Sequence, residues 1–347
     1  MTTDELYMQR CLELASNGRG NVAPNPMVGC VIVCDDRIIG EGFHIKFGGP
    51  HAEVHAIASV KNKELLKKST LYVNLEPCSH FGKTPPCTHL IIKSGIPKVV
   101  VGMIDPFAEV NGNGLAMLKR ADVEVVTEVL LEQCLELNQR FITFHKENRP
   151  YIILKWAQTR DAFIDKDRNA PEPHINWITN EHTRMLVHRW RAEEQAIITG
   201  TNTIRLDNPQ LTVRDWTGSN PLRLVIDKNL QISAHAKVFS EDAKTMVFNA
   251  AKNEVVGHIE FVKLNFAVNI IPQILALLHQ RNIQSLIVEG GRMLLQSFID
   301  ANLWDEARVF SGNLFFFGGT RAPQIHGTMA SSINYGEDNL TIINPKR

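Results

Sequence analysis

Four side chains in the N-terminal part of the chain have the types and order that metal and proton chemistry needs. They are His51 and Glu53 in His51-Ala52-Glu53, and Cys78 and Cys87 in Pro77-Cys78-Ser79-His80-Phe81-Gly82-Lys83-Thr84-Pro85-Pro86-Cys87. One imidazole and two thiolates make three ligands for a single zinc ion. That leaves the fourth tetrahedral position to water, the open arrangement of a catalytic site. Zinc lowers the pKa of the water it binds toward ~7, and two thiolates offset the charge of the metal. Glu53 is then expected to be a proton carrier and not a ligand, taking the proton of the water and handing it to a ring nitrogen and afterwards to a departing amine. The expected outcome is release of ammonia and a new ring carbonyl.

His-x-Glu followed by Pro-Cys and a second Cys is the signature of zinc-dependent base deaminases. The usual gap between the two cysteines is ~2 residues, whereas here eight residues intervene. The competing reading makes His51 a capping or core histidine and the two cysteines small buried hydrophobes. Three ligand types and an acid in this order argue against it.

These residues need elements to position them. Thr2 and Glu5 form a capping-box pattern ahead of a helix over 4–16, which Asn17-Gly18 stops. Residues 30–33 and 38–42 alternate as a hairpin turned at Asp35-Asp36. Asn25, held between Pro24 and Pro26, either presents a rigid amide to a polar ring edge or simply makes a turn, and local sequence leaves both readings open. A helix is expected over 53–66 with His51 and Glu53 at its first turn, and a buried strand over 70–76 that ends at Pro77-Cys78. The ligands thus come from a helix N-terminus and the strand end beside it, where the positive helix end favours thiolate. Strands over 98–102 and 123–127, a helix near 115–119 and an amphipathic helix over 128–145 follow. Glu147-Asn148-Arg149-Pro150 breaks that helix, which sets domains of 1–147 and 148–347.

The second half reads as an apolar strand over 151–158, a helix over 180–191, strands over 195–199, 222–227 and 285–289, and a helix over 292–300. Gly290-Gly291 between the last strand and helix is either a seat for a dinucleotide phosphate or a tight turn. Composition agrees with a two-domain α/β protein: 347 residues, 44% hydrophobic and 21% charged. With a formal net charge of zero, nothing in bulk charge favours nucleic acid or an anionic membrane, so no partner of either kind is expected. Any anion must be held by a few placed groups. Six cysteines are too few for a disulfide scaffold, and the N-terminus lacks a signal-peptide pattern, so the expected location is cytoplasmic.

Asn25 in Pro-Asn-Pro, His44 in Gly42-Phe43-His44, His-Ala-Glu at 51–53 and the whole run 77–87 resemble the bifunctional deaminase/reductase family of riboflavin biosynthesis, whose own cysteine spacing is this long one. Further along, Lys155-Trp156-Ala157, Trp177-Ile178-Thr179, Arg191-Ala192, Gly200-x-x-Thr203-x-x-x-Asp207-Asn208-Pro209-x-Leu211-Thr212-x-Arg214 and Val288-Glu289-Gly290-Gly291 are similar to motifs of the reductase domain of that family. The resemblance implies an α/β fold with an N-terminal cytidine-deaminase-like three-layer domain and a C-terminal dihydrofolate-reductase-like domain. It also implies one zinc per chain, NADPH as the second cofactor, and homo-oligomers. Asn25, His44 and Lys83 would contact the pyrimidine, and Asp105 its phosphoribosyl side. Where the family usually has Asp-Pro-Asn-Pro, this chain has Asp105-Pro106-Phe107-Ala108.

Ala157, Trp177, Thr203, Asp207 and the segment 291–297, with Gly291, Arg292 and Ser297, would hold NADPH. Arg191, Leu211, Arg214 and Glu289 would hold substrate, since guanidinium forks grip phosphate bidentately, and Lys155 joins them by its neighbourhood to the other motifs. Two departures stand out: Thr159-Arg160-Asp161-Ala162 replaces Ser-Leu-Asp-Gly, and Ile175 stands where a serine is common. The implied activity is deamination of 2,5-diamino-6-ribosylamino-4-pyrimidinone 5'-phosphate followed by NADPH-dependent reduction of the ribosyl chain to ribityl. The alternatives are a nucleoside or tRNA-base deaminase with an unrelated C-terminal domain, and a binding protein whose zinc is closed by His80 or His89 and only holds the fold.

Overall fold

The computed structural model describes residues 1–79, 85–106, 112–168 and 174–346, and divides into two compact units, Met1–Asn148 and Arg149–Arg347. In the first unit, α1 (Thr3–Ser16) begins at Thr2, whose hydroxyl accepts from Glu5 N while the Glu5 carboxylate accepts from Thr2 N. β1 (Gly29–Cys34) and β2 (Arg37–Phe43) form a hairpin in which Asp35 and Asp36 take φ of +51° and +56°, the backbone of a two-residue type I′ turn. Then come α2 (Ala52–Ser59), β3 (Thr70–Val73), α3 (Cys87–Lys93), β4 (Lys98–Val101), α4 (Asn113–Arg120), β5 (Glu124–Val126), α5 (Leu131–Leu137) and α6 (Gln139–Glu147).

Among the described residues the sheet of this unit runs β2-β1-β3-β4-β5, with β1 antiparallel to both neighbours and β3, β4 and β5 mutually parallel. Side chains alternate across a strand, so each strand feeds two cores. Cys30, Ile32, Leu71, Val73, Val99 and Val101 pack with Ala56, Ile57, Ile91 and Leu115 of α2, α3 and α4. Val31, Val33, Tyr72 and Val100 pack with Met8, Cys11, Leu12 and Cys134 of α1 and α5. The result is a helix-sheet-helix sandwich.

Two expected helices are shorter than their hydrophobic pattern suggests. The helix expected over 53–66 stops at Ser59, because Val60 is extended and the Asn62 side chain accepts from Glu64 N to start a separate 3₁₀ turn over Lys63–Lys68. The helix expected over 128–145 is two, broken at Asn138. The Asn138 amide accepts from Met27 N at 2.8 Å and donates to Met27 O at 3.0 Å. A buried side chain that must pair a distant backbone overrides the local helical period.

The second unit contains β6 (Tyr151–Gln158), β7 (Phe163–Asp165), α7 (Glu181–Glu193), β8 (Ala196–Gly200), α8 (Thr201–Asp207), β9 (Leu222–Ile226), β10 (Thr245–Asn249), β11 (Glu254–Val256), β12 (Ile259–Lys263), α9 (Ile271–Gln280), β13 (Ser285–Val288), α10 (Arg292–Asp300), β14 (Glu306–Ser311), β15 (Thr320–Arg321), β16 (Gly327–Tyr335) and β17 (Asp338–Pro345). Among the described residues its main sheet runs β11-β12-β10-β9-β8-β13-β6-β14-β17-β16. From β12 to β14 all pairs are parallel, so their carboxyl ends share one edge. One face packs on α9 and α10 through Ile274, Leu278, Leu295 and Phe298, and the other on α7 through Val187 and Trp190. The carboxyl edge of such a parallel sheet is where ligands bind.

Candidate functional site

His51 caps α2 with an extended backbone and no capping bond from its side chain, which leaves the imidazole for other partners. Its Nδ1 lies 3.6 Å from Cys78 Sγ and 3.4 Å from Cys87 Sγ, and the three donor atoms lie within 4.8 Å of one another. Ligands at ~2.0–2.1 Å (N) and ~2.3 Å (S) from a tetrahedral zinc stand roughly 3.5–3.8 Å apart, so this spacing fits one zinc ion. No fourth His, Cys, Asp or Glu joins the group among the described residues, and His89 is outside it; His80 lies outside the described residues. Cys87 opens α3, and its N–H donates to Cys78 Sγ at 3.3 Å. A hydrogen bond between the two sulfurs lowers the Cys78 thiol below the ordinary range, with help from His51, and raises that of Cys87.

Glu53, in the first turn of α2, is buried, and its Oε2 has no hydrogen-bond partner among the described residues. Burial, and then the charge of Cys78, push its carboxyl above the usual carboxylate range. An unpartnered carboxylate oxygen is costly in the interior. Beside an open three-ligand centre it is the group a metal-activated water would meet.

Asn25 and His44 also converge there. His44 Nδ1 is 3.0 Å from the Pro50 carbonyl, so it carries the hydrogen, and Nε2 therefore accepts from Asn25 Nδ2 at 3.0 Å. Burial lowers the pKa of His44 and keeps it neutral. Its ring meets the His51 ring edge-on at 5.6 Å. The Asn25 amide nitrogen is thus used, leaving its carbonyl oxygen as the acceptor. Lys83 lies outside the described residues. Asp105 is buried, and its N–H donates to Glu76 Oε2 at 3.2 Å. Glu76 also accepts from Gly112 N at 2.9 Å, Gly114 N at 2.9 Å and Leu115 N at 3.3 Å. This buried carboxylate, overlooked in the sequence, anchors the segments that flank Asp105; its only local signal is an acid directly before Pro77-Cys78.

In the second unit the parallel register of β13 on β6 sets Val288 against Leu154, which brings Glu289 and Lys155 together at the strand ends. Lys155 Nζ is 3.9 Å from Glu289 Oε2. Arg191, on α7, grips Glu289 bidentately, Nε to Oε1 at 3.2 Å and Nη2 to Oε2 at 2.7 Å, and donates from Nη1 to Thr212 O at 3.3 Å. Burial works to raise the Glu289 pKa, but Arg191 and Lys155 outweigh it and hold it at about 2. Burial lowers that of Lys155. Arg214 donates to Thr212 Oγ1 at 3.3 Å, and no carboxylate pairs with its guanidinium among the described residues. Leu211 is buried at φ +56°, a backbone state that bulky residues rarely take. His188, one helical turn before Arg191 and missed in the sequence, accepts from Arg214 N at 2.8 Å through Nδ1. Burial, Arg191 and Arg214 hold its pKa down to about 4.

The residues expected to hold NADPH divide into two groups. Thr203 Oγ1 accepts from Gly291 N at 3.1 Å, joining α8 to the start of α10 beside Gly200, where a Cβ would meet nothing. Arg292 opens α10, and Ser297 donates to Met293 O at 2.7 Å within that helix. Ala157 lies on β6 two residues beyond Lys155, on the same face. Asp207, in contrast, ends α8 paired to Arg168 at 2.5 Å, and Trp177 is 52% exposed with Arg184 stacked on it at 4.3 Å. Among the described residues neither side chain is hydrogen-bonded or ion-paired to Thr203 or Gly291. In the altered turn, Ala162 takes φ +63°, the conformation glycine favours. Asp161 locks this turn by accepting from Thr159 Oγ1, Phe316 N and Phe317 N at 2.6, 3.2 and 2.8 Å. Ile175 is 41% exposed.

A three-ligand zinc site beside a buried glutamate, and a parallel-sheet unit with a cluster of cationic side chains and a glycine-led helix start at its strand ends, fit a deaminase joined to a reductase. Residues 1–103 match the cytidine and deoxycytidylate deaminase zinc-binding region, and residues 150–336 match the RibD C-terminal domain. The riboflavin biosynthesis protein RibD of Synechocystis is 39% identical over 345 residues, covering 97% of this chain and 89% of the relative; that of Aquifex aeolicus is 40% identical over 313 residues, covering 88% and 86%. A crystal structure of a diaminohydroxyphosphoribosylaminopyrimidine deaminase/5-amino-6-(5-phosphoribosylamino)uracil reductase from Thermotoga maritima superimposes with a TM-score of 0.91 at 37% identity over 99% of each chain.

The chain belongs to the RibD family, the zinc-dependent bifunctional deaminases and reductases of riboflavin biosynthesis. A C-terminal domain unrelated to that pathway is thereby set aside.

Proposed function

We propose that the first unit deaminates 2,5-diamino-6-ribosylamino-4-pyrimidinone 5'-phosphate and that the second reduces the ribosyl chain of the product to ribityl with NADPH. The observation that carries the deaminase half is the unpartnered Glu53 Oε2 buried beside the group formed by His51, Cys78 and Cys87. Those three residues would hold the zinc, which when bound would make water there acidic enough to ionise near neutral pH. Glu53 would take the first water proton on Oε2 and pass it to the ring nitrogen, then take the proton of the hydroxyl added to the ring and pass it to the leaving amine, so that ammonia departs as the carbonyl forms. His44, neutral and oriented by Pro50 and Asn25, and the free oxygen of the Asn25 amide read the pyrimidine edge. Lys83 is a further pyrimidine contact, and Asp105, held by Glu76, addresses the phosphoribosyl side.

In the reductase, Gly291, Arg292, Ser297, Thr203, Asp207, Ala157 and Trp177 hold NADPH, which supplies the reducing equivalents. Arg191, Leu211, Arg214 and Glu289 hold the nucleotide, with Arg214 the cation left for its phosphate. Lys155, whose proton burial loosens, is placed to protonate the sugar oxygen as the carbonyl is reduced.

The supporting experiment supplies the diaminopyrimidine nucleotide with NADPH and follows ammonia and NADPH absorbance together; ammonia without NADPH consumption would refute the second step. We also propose a cytoplasmic homo-oligomer. No helix among the described residues is long and apolar enough to cross a membrane, and all six cysteines are free. The edge strand β16 exposes Met329 and Ile333, an apolar edge of the kind that a second subunit covers.

A further inference from the structure

Among the described residues Arg223 is the largest fully buried side chain, a cation inside the apolar strand β9. Among the described residues no carboxylate forms an ion pair with it. Nε donates to Thr245 Oγ1 at 2.9 Å, Nη1 to Gln210 O at 3.3 Å and Ser240 Oγ at 3.1 Å, and Nη2 to Ala243 O at 2.5 Å and to Ser240 O. All five guanidinium donors are therefore met by neutral acceptors. A charge buried at such cost is explained by what it ties down. Asp242 closes the same network from outside, accepting from Gln210 Nε2 at 2.6 Å and Ser240 Oγ at 2.7 Å.

Gln210 is the residue before Leu211, whose φ of +56° is strained for a branched side chain. The segment beyond is held at each step: Thr212 O by Arg191 at 3.3 Å, Val213 N by Asn220 Oδ1 at 2.7 Å, and Arg214 N by His188 at 2.8 Å. We propose that Arg223 is a positioning residue of the reductase: it clamps the Gln210 carbonyl so that Leu211 keeps its left-handed backbone and Arg214 is presented to the anionic end of the nucleotide. The assignment rests on the substrate role proposed above for Leu211 and Arg214. Arg223 itself is fully buried behind the loop and does not touch the ligand.

Lysine has three donors and no fork, so Arg223→Lys keeps the charge and frees at least two of the five acceptors. In the full-length chain, Arg223→Lys raises the KM for the deaminated nucleotide at least tenfold, changes kcat less than threefold, and leaves the NADPH dissociation constant, read by tryptophan fluorescence, within twofold. Thr245→Val, which removes one acceptor and no charge, shifts KM in the same direction by about threefold, and it carries the test if Arg223→Lys does not fold. An unchanged KM overturns the proposal, as does a KM and an NADPH dissociation constant that rise together, since that is a general scaffold effect. Arg214→Gln separates the two layers: if it leaves KM unchanged, the substrate reading of the loop fails, whereas a raised KM there with none in Arg223→Lys refutes the clamp alone.

Discussion

Glu289→Gln tests the electrostatic centre of the reductase unit. The Glu289 side chain is 13% exposed and sits between Arg191 and Lys155. Burial alone would raise its pKa, yet the two cations hold it at about 2 against an ordinary 4.5. At ~1.36 kcal/mol per pKa unit, that difference contributes about 3 kcal/mol to folding. Because the folded-state pKa is depressed, the contribution is fully present above pH 4.5 and is lost as pH falls toward 2. An independent expectation agrees: removing one partner of a buried ion pair costs about 3–5 kcal/mol, because the remaining charge is stranded. Here two cations are stranded together.

The assay is guanidinium unfolding at pH 7 followed by tryptophan fluorescence. All five tryptophans, at 156, 177, 190, 216 and 304, lie in the unit Arg149–Arg347, so the signal reports that unit alone. The midpoint should fall by roughly 1 M at an unchanged slope, taking m of roughly 3–5 kcal/mol/M. Adding Arg191→Met in the Glu289→Gln background should recover part of the loss by removing one stranded cation. A loss below about 1 kcal/mol would mean that water reaches Arg191 and Lys155 and screens them. Full additivity of the two substitutions would equally refute the reasoning.

Three further outcomes are expected. Glu53→Gln keeps the shape of a buried side chain whose Oε2 is unpartnered, so zinc content by metal analysis should be unchanged while ammonia release falls about 10²–10⁴-fold; NADPH oxidation with the deaminated intermediate should continue, and loss of both activities in a folded variant contradicts separate sites. His188 has its pKa held down to about 4 from 6.5 by burial, Arg191 and Arg214, so the folded state excludes its proton, and stability should fall by up to about 3 kcal/mol as pH drops through that window; His188→Asn keeps an acceptor for Arg214 N and should flatten the dependence, whereas equal slopes count against it. Ala162→Gly relieves a left-handed alanine at φ +63° and should raise the unfolding midpoint by about 0.5–1 kcal/mol equivalent; a destabilised variant would show that the locked turn carries no strain.

The metal centre was legible before any folding was known, because its ligand types and their order lie within one continuous run, from His51 to Cys87. The capping box at Thr2, the hairpin turn at Asp35-Asp36 and the helix over 292–300 were legible for the same reason: their interactions span a few residues. The helix break at Asn138 was not, since a backbone partner far along the chain, Met27, decides it.

The sequence by itself determined which atoms can bind zinc, move a proton or grip a phosphate. Tertiary structure alone decided which of them meet. Lys155, Arg191 and Glu289 become one charged cluster only through the register of β13 on β6 and the packing of α7. Glu76, His188 and Arg223 acquire their roles from backbone N–H and carbonyl groups of distant segments. Every residue carries such backbone groups, so no residue type or spacing marks them; only the folded chain brings them within hydrogen-bond reach of a buried side chain.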